Sequence, residues 1–231
     1  MKQFYSLSRY PGTTGERYFN TLFKRYNLPY VYTAVACEDI KDGVLVMRSC
    51  HADGFSVSMP FKTDVIKELD FIENVAARFK SCNTVYNHNR KLHGYNTDYF
   101  GAVNVLNRIP APSNIAILGD GAMGSMFKQM VGNAAIVYSR KGGNWEDRHV
   151  TNDVIVNCTP FGTSVSNSPF EKLPKCNLII DLAIKPNQLE EQAKTAGVKY
   201  ISGIEFYKHQ FIRQFGIYTK HQITLSDLEN I

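Results

Sequence analysis

The chain has 231 residues, room for one large domain or two compact ones, and 44% of them are hydrophobic, which is ample for a buried core. Its net charge of +5 is scattered along the length, with short clusters only at Lys24-Arg25, Arg90-Lys91 and Arg140-Lys141. No nucleic-acid or membrane footprint follows from that pattern, only a mild attraction for anionic small molecules.

In chain order, short apolar runs alternate with helical periods: a strand at 4–7, a helix at 15–26, a strand at 30–36, a helix at 40–48, a strand at 55–59 and a helix at 63–69. That alternation predicts an α/β layer. His88 with Arg90-Lys91 marks a hairpin turn. A helix at 99–108 runs into Pro110-Ala111-Pro112-Ser113, the break expected to separate two domains. Beyond it the pattern reads strand 115–118, helix 122–131, strands 135–138, 154–157 and 178–182, helix 188–196 and strand 199–201. An amphipathic helix at 205–215 is expected to fold back onto the first domain. The expected division is therefore 1–109, with 207–231 packing on it, and 110–206.

Five cysteines, Cys37, Cys50, Cys82, Cys158 and Cys176, are odd in number and never spaced C-x-x-C, so reduced thiols are expected rather than a disulfide framework or a zinc site. The N-terminus lacks a signal-like apolar run, and the cytoplasm is the expected address. The six histidines show no metal-ligand spacing, so no metal is expected; His209, beside Gln210, is the one kept in view.

Ile115-Ala116-Ile117-Leu118 leads into Gly119-Asp120-Gly121-Ala122-Met123-Gly124, a strand, a G-x-G-x-x-G turn and a helix start. The first glycine permits the bend, the second lets backbone approach a pyrophosphate, and the third allows close helix packing. A dinucleotide is expected there, with a plain structural turn as the alternative. Ser139-Arg140-Lys141, at the end of the second strand, replaces the acidic group that would bind free ribose hydroxyls, and Arg140 suits a 2′-phosphate. NADP is the expected cofactor. Two features work against it: Asp120 puts a negative charge in the loop, and the segment from Arg140 to 154 is too short for the usual helix and strand.

Upstream, Ser56-Val57-Ser58-Met59-Pro60-Phe61-Lys62 is followed 36 positions later by Asp98. A lysine ammonium can protonate a developing alkoxide and an aspartate can hold it in place, which suggests proton transfer coupled to hydride transfer; a surface salt bridge is the alternative.

These residues together resemble the shikimate dehydrogenase family. Its Asn-Val-Thr-x-Pro-x-Lys segment is mirrored by Ser56 to Lys62, its two Asn-Thr motifs by Asn83-Thr84 and Asn96-Thr97-Asp98, and the likeness continues through the glycine loop, Asn157-Cys158-Thr159-Pro160-Phe161-Gly162, and Gly203 with Gln210. The resemblance implies an N-terminal α/β substrate domain and a Rossmann-type NADP domain, with the active site in the cleft between them. It implies Lys62 and Asp98 as the catalytic pair, and Ser58, Asn83 and Gln210 on the substrate hydroxyls. Gly119, Gly121, Ala122, Met123, Gly124, Ser139, Arg140, Lys141, Thr159 and Gly203 would line the cofactor. The implied reaction interconverts 3-dehydroshikimate and shikimate in aromatic amino-acid biosynthesis, the chorismate pathway, with the protein a monomer or homodimer.

The family's Ser-x-Ser-Pro motif for the substrate carboxylate aligns with Pro11-Gly12-Thr13-Thr14-Gly15-Glu16, ahead of Asn20; Gly15 takes one serine position, and Thr13 or Thr14 would supply a hydroxyl. Ile184 stands where a tyrosine usually approaches the substrate, and Phe206-Tyr207 replaces a Met-Leu pair. The segments Ser6 to Gly12 and Ser202 to Glu205 look closer to the divergent shikimate dehydrogenase-like branch, whose members handle shikimate poorly. Quinate or another cyclic hydroxy acid is one alternative substrate; a catalytically weak NADP-binding or regulatory homologue is another reading.

Overall fold

The computed structural model describes residues 1–111, 113–162, 167–229 and 231; Pro112 of the expected break lies outside them. The chain divides into two compact units, Met1–Asp98 with Gln210–Ile231, and Tyr99–His209. The first division falls within the helix that opens at Asp98, after its first residue, whereas the Pro-rich break expected to separate the domains follows that helix.

In the first unit the order is β1 (Lys2–Ser8), α1 (Thr14–Arg25), β2 (Tyr30–Ala36), α2 (Ile40–Ser49), β3 (Gly54–Val57), β4 (Phe71–Ile72), α3 (Asn74–Phe79), β5 (Thr84–His88) and β6 (Lys91–Tyr95). They form one six-stranded mixed sheet, β2-β1-β3-β5-β6-β4. The expected helix at 63–69 is a single 3₁₀ turn, Asp64–Glu68, and the strand expected to reach Met59 stops at Val57. There the chain turns at Pro60, which cannot donate to a sheet ladder. The β5–β6 hairpin turns at Asn89 and Arg90, whose φ of 51° and 66° place both in the left-handed region that a two-residue turn requires.

Aromatic rings fill one core of this unit. Phe19 and Phe23 on α1 meet Phe211, Phe215 and Tyr218 of the C-terminal helix, and Phe4 of β1 stacks on Tyr218 at 4.6 Å. Phe4, Phe19, Phe23, Phe211 and Phe215 are all at most 1% exposed, each ring contributing about 1.5–3 kcal/mol by leaving water. A second core gathers Leu7, Val44, Met47, Phe55, Val57 and Val85. The outer edge of β2 is closed by α1 side chains: Asn20 pairs with both the N–H and the C=O of Tyr32, and Glu16 accepts from the N–H of Ala34. Those groups would otherwise be an open sheet edge.

The second unit contains α4 (Asp98–Leu106) after its first residue, then β7 (Ile115–Leu118), α5 (Ala122–Val131), β8 (Ala135–Tyr138), β9 (Val154–Asn157), β10 (Leu178–Asp181), α6 (Gln188–Thr195), β11 (Lys199–Ile201) and the first turns of α7 (Gly203–Thr219). Its five strands are all parallel, in the order β11-β10-β9-β7-β8, and every strand residue of β7, β9 and β10 is buried. Continuous apolar runs are what a parallel sheet covered on both faces demands. Between β8 and β9 there is only a 3₁₀ turn, Trp145–His149. Trp145 packs against the core around Ile155 and Phe170, and its ring stacks on Phe161, so one large side chain covers sheet that a helix would otherwise shield. Among the described residues no helix is long and apolar enough to cross a membrane.

Candidate active site

Three backbone constraints in the first unit assemble its polar cluster. The N–H of Cys82 donates to the C=O of Lys62 at 2.8 Å, tying the turn after β3 to the start of β5. Thr84 pairs with Tyr95 across the hairpin, and the N–H of Asn83 donates to the C=O of Tyr95 at 3.1 Å, which brings Asn83 beside Thr97 and Asp98. Asp98 is the first residue of α4, where a carboxylate is favoured by the helix dipole.

Lys62 Nζ donates to Asp98 Oδ2 at 2.6 Å, and Asn83 Nδ2 donates to Asp98 Oδ1 at 2.9 Å. The two charged side chains are only 14% and 6% exposed, which excludes the surface salt bridge considered from sequence. Asn83 Oδ1 accepts from the N–H of Thr97 at 2.8 Å, and Thr97 Oγ1 donates to Gln210 Oε1 at 2.9 Å. Behind them Gln214 Nε2 donates to Thr84 Oγ1 at 2.7 Å, and Thr84 Oγ1 donates to Asn83 Oδ1 at 3.0 Å. The structure thus brings together Lys62, Asp98, Asn83 and Gln210 from the expected set. Thr84, Thr97 and Gln214 join them unassigned; the first two stood in the Asn-Thr motifs, and Gln214 had only its i+4 spacing from Gln210 as a signal. A buried ion pair of this kind persists because hydrogen bonds satisfy its remaining lone pairs.

Among the described residues, those aligned with the carboxylate motif do not join this hydrogen-bond network. Thr13 is the exposed N-cap of α1 and makes no capping bond with its side chain. It lines an open recess of about 520 Å³ with Glu16, Arg17, Asn20, Thr21 and Lys24, which includes none of Lys62, Asp98, Asn83 or Gln210. Thr14 is half-buried, and Ser58 is exposed on the turn leading to Lys62. At Gly15 a Cβ would stand 3.2 Å from the Tyr32 ring. The Tyr32 hydroxyl donates to Ser56 Oγ at 2.6 Å, and Tyr218 Oη lies 3.2 Å from the same atom. Burial pushes the Tyr32 phenol up to about 12, so it stays a neutral donor at neutral pH.

In the second unit, β7 lies between β8 on one side and β9 on the other, which is the switch point where parallel sheets bind ligands beyond their C-terminal strand ends. The glycine loop fits a pyrophosphate there. Gly119 has φ +93°, and a Cβ at Gly124 would lie 1.9 Å from the Gly119 carbonyl oxygen, so neither position takes a side chain without moving backbone. Among the described residues a Cβ at Gly121 would meet no atom within 4 Å, and no N-cap side chain bonds the start of α5 at Ala122. A helix N-terminus of this kind attracts an anion.

Thr159 abuts this loop, its Cγ2 3.3 Å from where a Gly119 Cβ would stand. Its N–H and hydroxyl both donate to Asn157 Oδ1, and Asn157 Nδ2 donates to Asp181 at 2.9 Å. Asp181, 0% exposed, also accepts from the N–H of Ala183, from Asn187 and from the Tyr200 hydroxyl. Sequence reasoning missed this carboxylate, which fixes the loop after β9 from below. Gly203, at the start of α7, packs on the Leu182–Ala183 backbone, where a Cβ would come within 2.5 Å. Ser139 is buried at the end of β8, while Arg140 and Lys141 are exposed, Arg140 at 6.0 Å from the Trp145 ring centroid. Phe206 is buried against Gly101, Ile184 and Tyr207 are half-buried, and burial holds His209 below the usual histidine range, with the Glu205 carboxylate opposing. Among the described residues no group of three His, Cys, Asp or Glu side chains could hold a metal ion.

Residues 15–85 match the model of the shikimate dehydrogenase substrate binding domain. A shikimate dehydrogenase (NADP(+)) of Dehalococcoides mccartyi strain CBDB1 is 30% identical, the alignment covering 88% of this chain and 85% of that one. A shikimate dehydrogenase-like protein of Haemophilus influenzae is 28% identical over 94% of this chain and 90% of its own. The crystal structure of a Thermus thermophilus shikimate 5-dehydrogenase in complex with NADP(H) and shikimate superposes with a TM-score of 0.82, at 21% identity and over 99% of this chain and 97% of that one. Similarity at that level, running nearly end to end through both units, means that the chain belongs to the shikimate dehydrogenase family.

Proposed function

We propose that this protein is an NADP-dependent oxidoreductase interconverting 3-dehydroshikimate and shikimate. The observation that carries the reading is the buried Lys62–Asp98 pair at 2.6 Å, hydrogen-bonded through Asn83 and Thr97 to Gln210. It is a cationic proton donor held by a carboxylate, beside amides and a hydroxyl suited to a polyhydroxy ring.

Gly119, Gly121, Ala122, Met123 and Gly124, with Ser139, Arg140, Lys141, Thr159 and Gly203, would hold NADPH, which would supply the hydride. Lys62 gives its ammonium proton to the alkoxide oxygen that forms as the ketone is reduced, and takes the hydroxyl proton in reverse. Asp98 fixes the ammonium and accepts from a neighbouring ring hydroxyl, so it lowers the entropy cost of alignment as well as holding charge. Asn83, Gln210 and Ser58 bind ring hydroxyls, and Thr13 or Thr14 takes the carboxylate. This reading includes a cytoplasmic location and a monomer or homodimer that binds neither nucleic acid nor membrane. Relatives named for NADP-linked shikimate oxidation support it.

A second reading keeps the chemistry and changes the acid to quinate or another cyclic hydroxy acid. It is favoured by Gly15, which lacks the hydroxyl of the aligned serine and whose Cβ position presses on Tyr32. The test is oxidation of shikimate and of quinate, each with NADP and with NAD, followed at the nicotinamide absorbance band. Faster turnover of shikimate with NADP supports the first reading, and faster turnover of quinate the second. NADPH binding with turnover of neither acid points to a different substrate or a weak regulatory homologue, and failure to bind any dinucleotide sinks the proposal.

A further inference from the structure

The 2′-phosphate of NADP is assigned above to the end of β8, yet the hydroxyl of Ser139 is already committed. It donates its single proton to Asp120 Oδ2 at 2.9 Å and accepts from the N–H of Gly142 at 2.8 Å. Ser139 is 5% exposed, so this geometry is built in rather than a surface rotamer. Asp120 itself lies between Gly119 and Gly121, just beyond β7, the strand that neighbours β8. Its side chain spans from the pyrophosphate loop to the residue next to Arg140.

A carboxylate there has a definite chemical preference. It only accepts hydrogen bonds, so a ribose 2′-hydroxyl can donate to it, whereas a 2′-phosphate presents acceptor oxygens and like charge. Among the described residues no ammonium or guanidinium forms an ion pair with Asp120 that would cancel its charge. Arg140 and Lys141, both exposed, would attract a 2′-phosphate. Asp120 and the occupied Ser139 hydroxyl would oppose it.

We propose that Asp120 is a specificity-determining residue of the dinucleotide site, which reduces discrimination between NADP and NAD so that both are bound. The inference rests on the dinucleotide reading of the glycine loop. It assigns the carboxylate to the ribose 2′-hydroxyl of NAD and the cationic pair Arg140 and Lys141 to the phosphate of NADP.

The test is titration of the full-length protein with NADPH and with NADH, read by nicotinamide fluorescence, for the wild type, Asp120→Asn and Asp120→Ala. Asparagine keeps the shape and a hydrogen-bond acceptor for Ser139 while removing the charge, and alanine removes both, so the pair separates charge from tethering. In both variants the ratio of the NADH to the NADPH dissociation constant rises about tenfold, the effect of removing one like charge a few ångströms from a phosphate in a half-exposed site. An unchanged ratio in both variants, or weaker NADPH binding, overturns the assignment. Binding of neither dinucleotide to the wild type overturns the glycine-loop reading itself, and this inference with it.

Discussion

Replacing Lys62 by alanine removes the proposed proton donor and at the same time strips the cation from a carboxylate that is 6% exposed, so it perturbs rate and stability together. The rate effect follows from general acid catalysis, which contributes about 10²–10⁴-fold; turnover is expected to fall at least about 100-fold, or about 2.7 kcal/mol of barrier. The stability effect follows from an uncompensated buried charge, about 3–5 kcal/mol, a large share of a domain's usual reserve. Asn83 still donates to Asp98 Oδ1 at 2.9 Å in the variant, which favours the lower end of that range. The two effects separate in the double variant K62A/D98N. Asparagine carries no charge to strand, so stability measured by urea denaturation returns most of the way to wild type while turnover stays lost. KM for the acid and the dissociation constant of NADPH change far less than kcat in K62A. Retention of kcat within about tenfold in K62A, or recovery of kcat in the double variant, refutes the assignment of Lys62 as proton donor.

Gly124→Ala places a methyl 1.9 Å from the Gly119 carbonyl oxygen, so α5 and the loop must separate; NADPH affinity is expected to drop more than about tenfold with a lowered melting temperature, checked by fluorescence titration and thermal scanning. Burial pushes the Cys82 thiol up to about 12 and that of Cys176 to about 11, and it also raises Cys158, where the Asp181 carboxylate adds to the effect. A thiol reagent at pH 8 should therefore modify exposed Cys50 first and reach buried Cys82 and Cys176 only on unfolding; rapid labelling of Cys82 in the native protein would contradict the burial. Asp70 is held below the usual carboxylate range, first by the N–H of Leu92 and then by Arg48, with burial opposing. Its depressed value stabilises the fold above the unfolded carboxylate pKa, about 3.9, and that contribution is lost as pH falls through the folded value. Urea midpoints of Asp70→Asn should fall below wild type at pH 6 and converge with it near pH 2; a constant gap would remove the electrostatic explanation.

The parallel sheet of the second unit was legible almost residue by residue, with β7, β8, β9, β11 and α5 at their expected bounds: the fully buried β7 and β9 leave apolar runs between turn residues, and the edge strands β8 and β11 are short runs bounded by polar or turn residues. The first unit was less so. β4 has two residues, both exposed, and α3 has six, so neither gives a periodic signal long enough to recognise. At 63–69 the helical spacing was real in sequence but yields one 3₁₀ turn, since Phe61 and Val65 are committed to the core while Thr63, Asp64 and Lys67 face solvent.

The site shows the same split for a different reason. Lys62 and Asp98 were read as a pair from their residue types and Asn83 from the family resemblance, and the structure brings the three side chains together. Thr84 and Asn157 stood inside quoted motifs without a role, Gln214 had only its spacing from Gln210, and Asp181 had no signal; many residue types hydrogen-bond a neighbour, so their partners show only in three dimensions. Gly15 is the converse case. Its sequence meaning was a missing hydroxyl, whereas its physical meaning is the room it leaves for Tyr32, whose ring stacks on Phe19 at 4.3 Å and whose hydroxyl reaches Ser56. A serine reinstated at that position would gain a hydroxyl and at the same stroke press on a ring that is 3% exposed and held on two sides. Gly15 and Ser56 are thus coupled through Tyr32, and an exchange at either one alone should cost packing before it gains recognition.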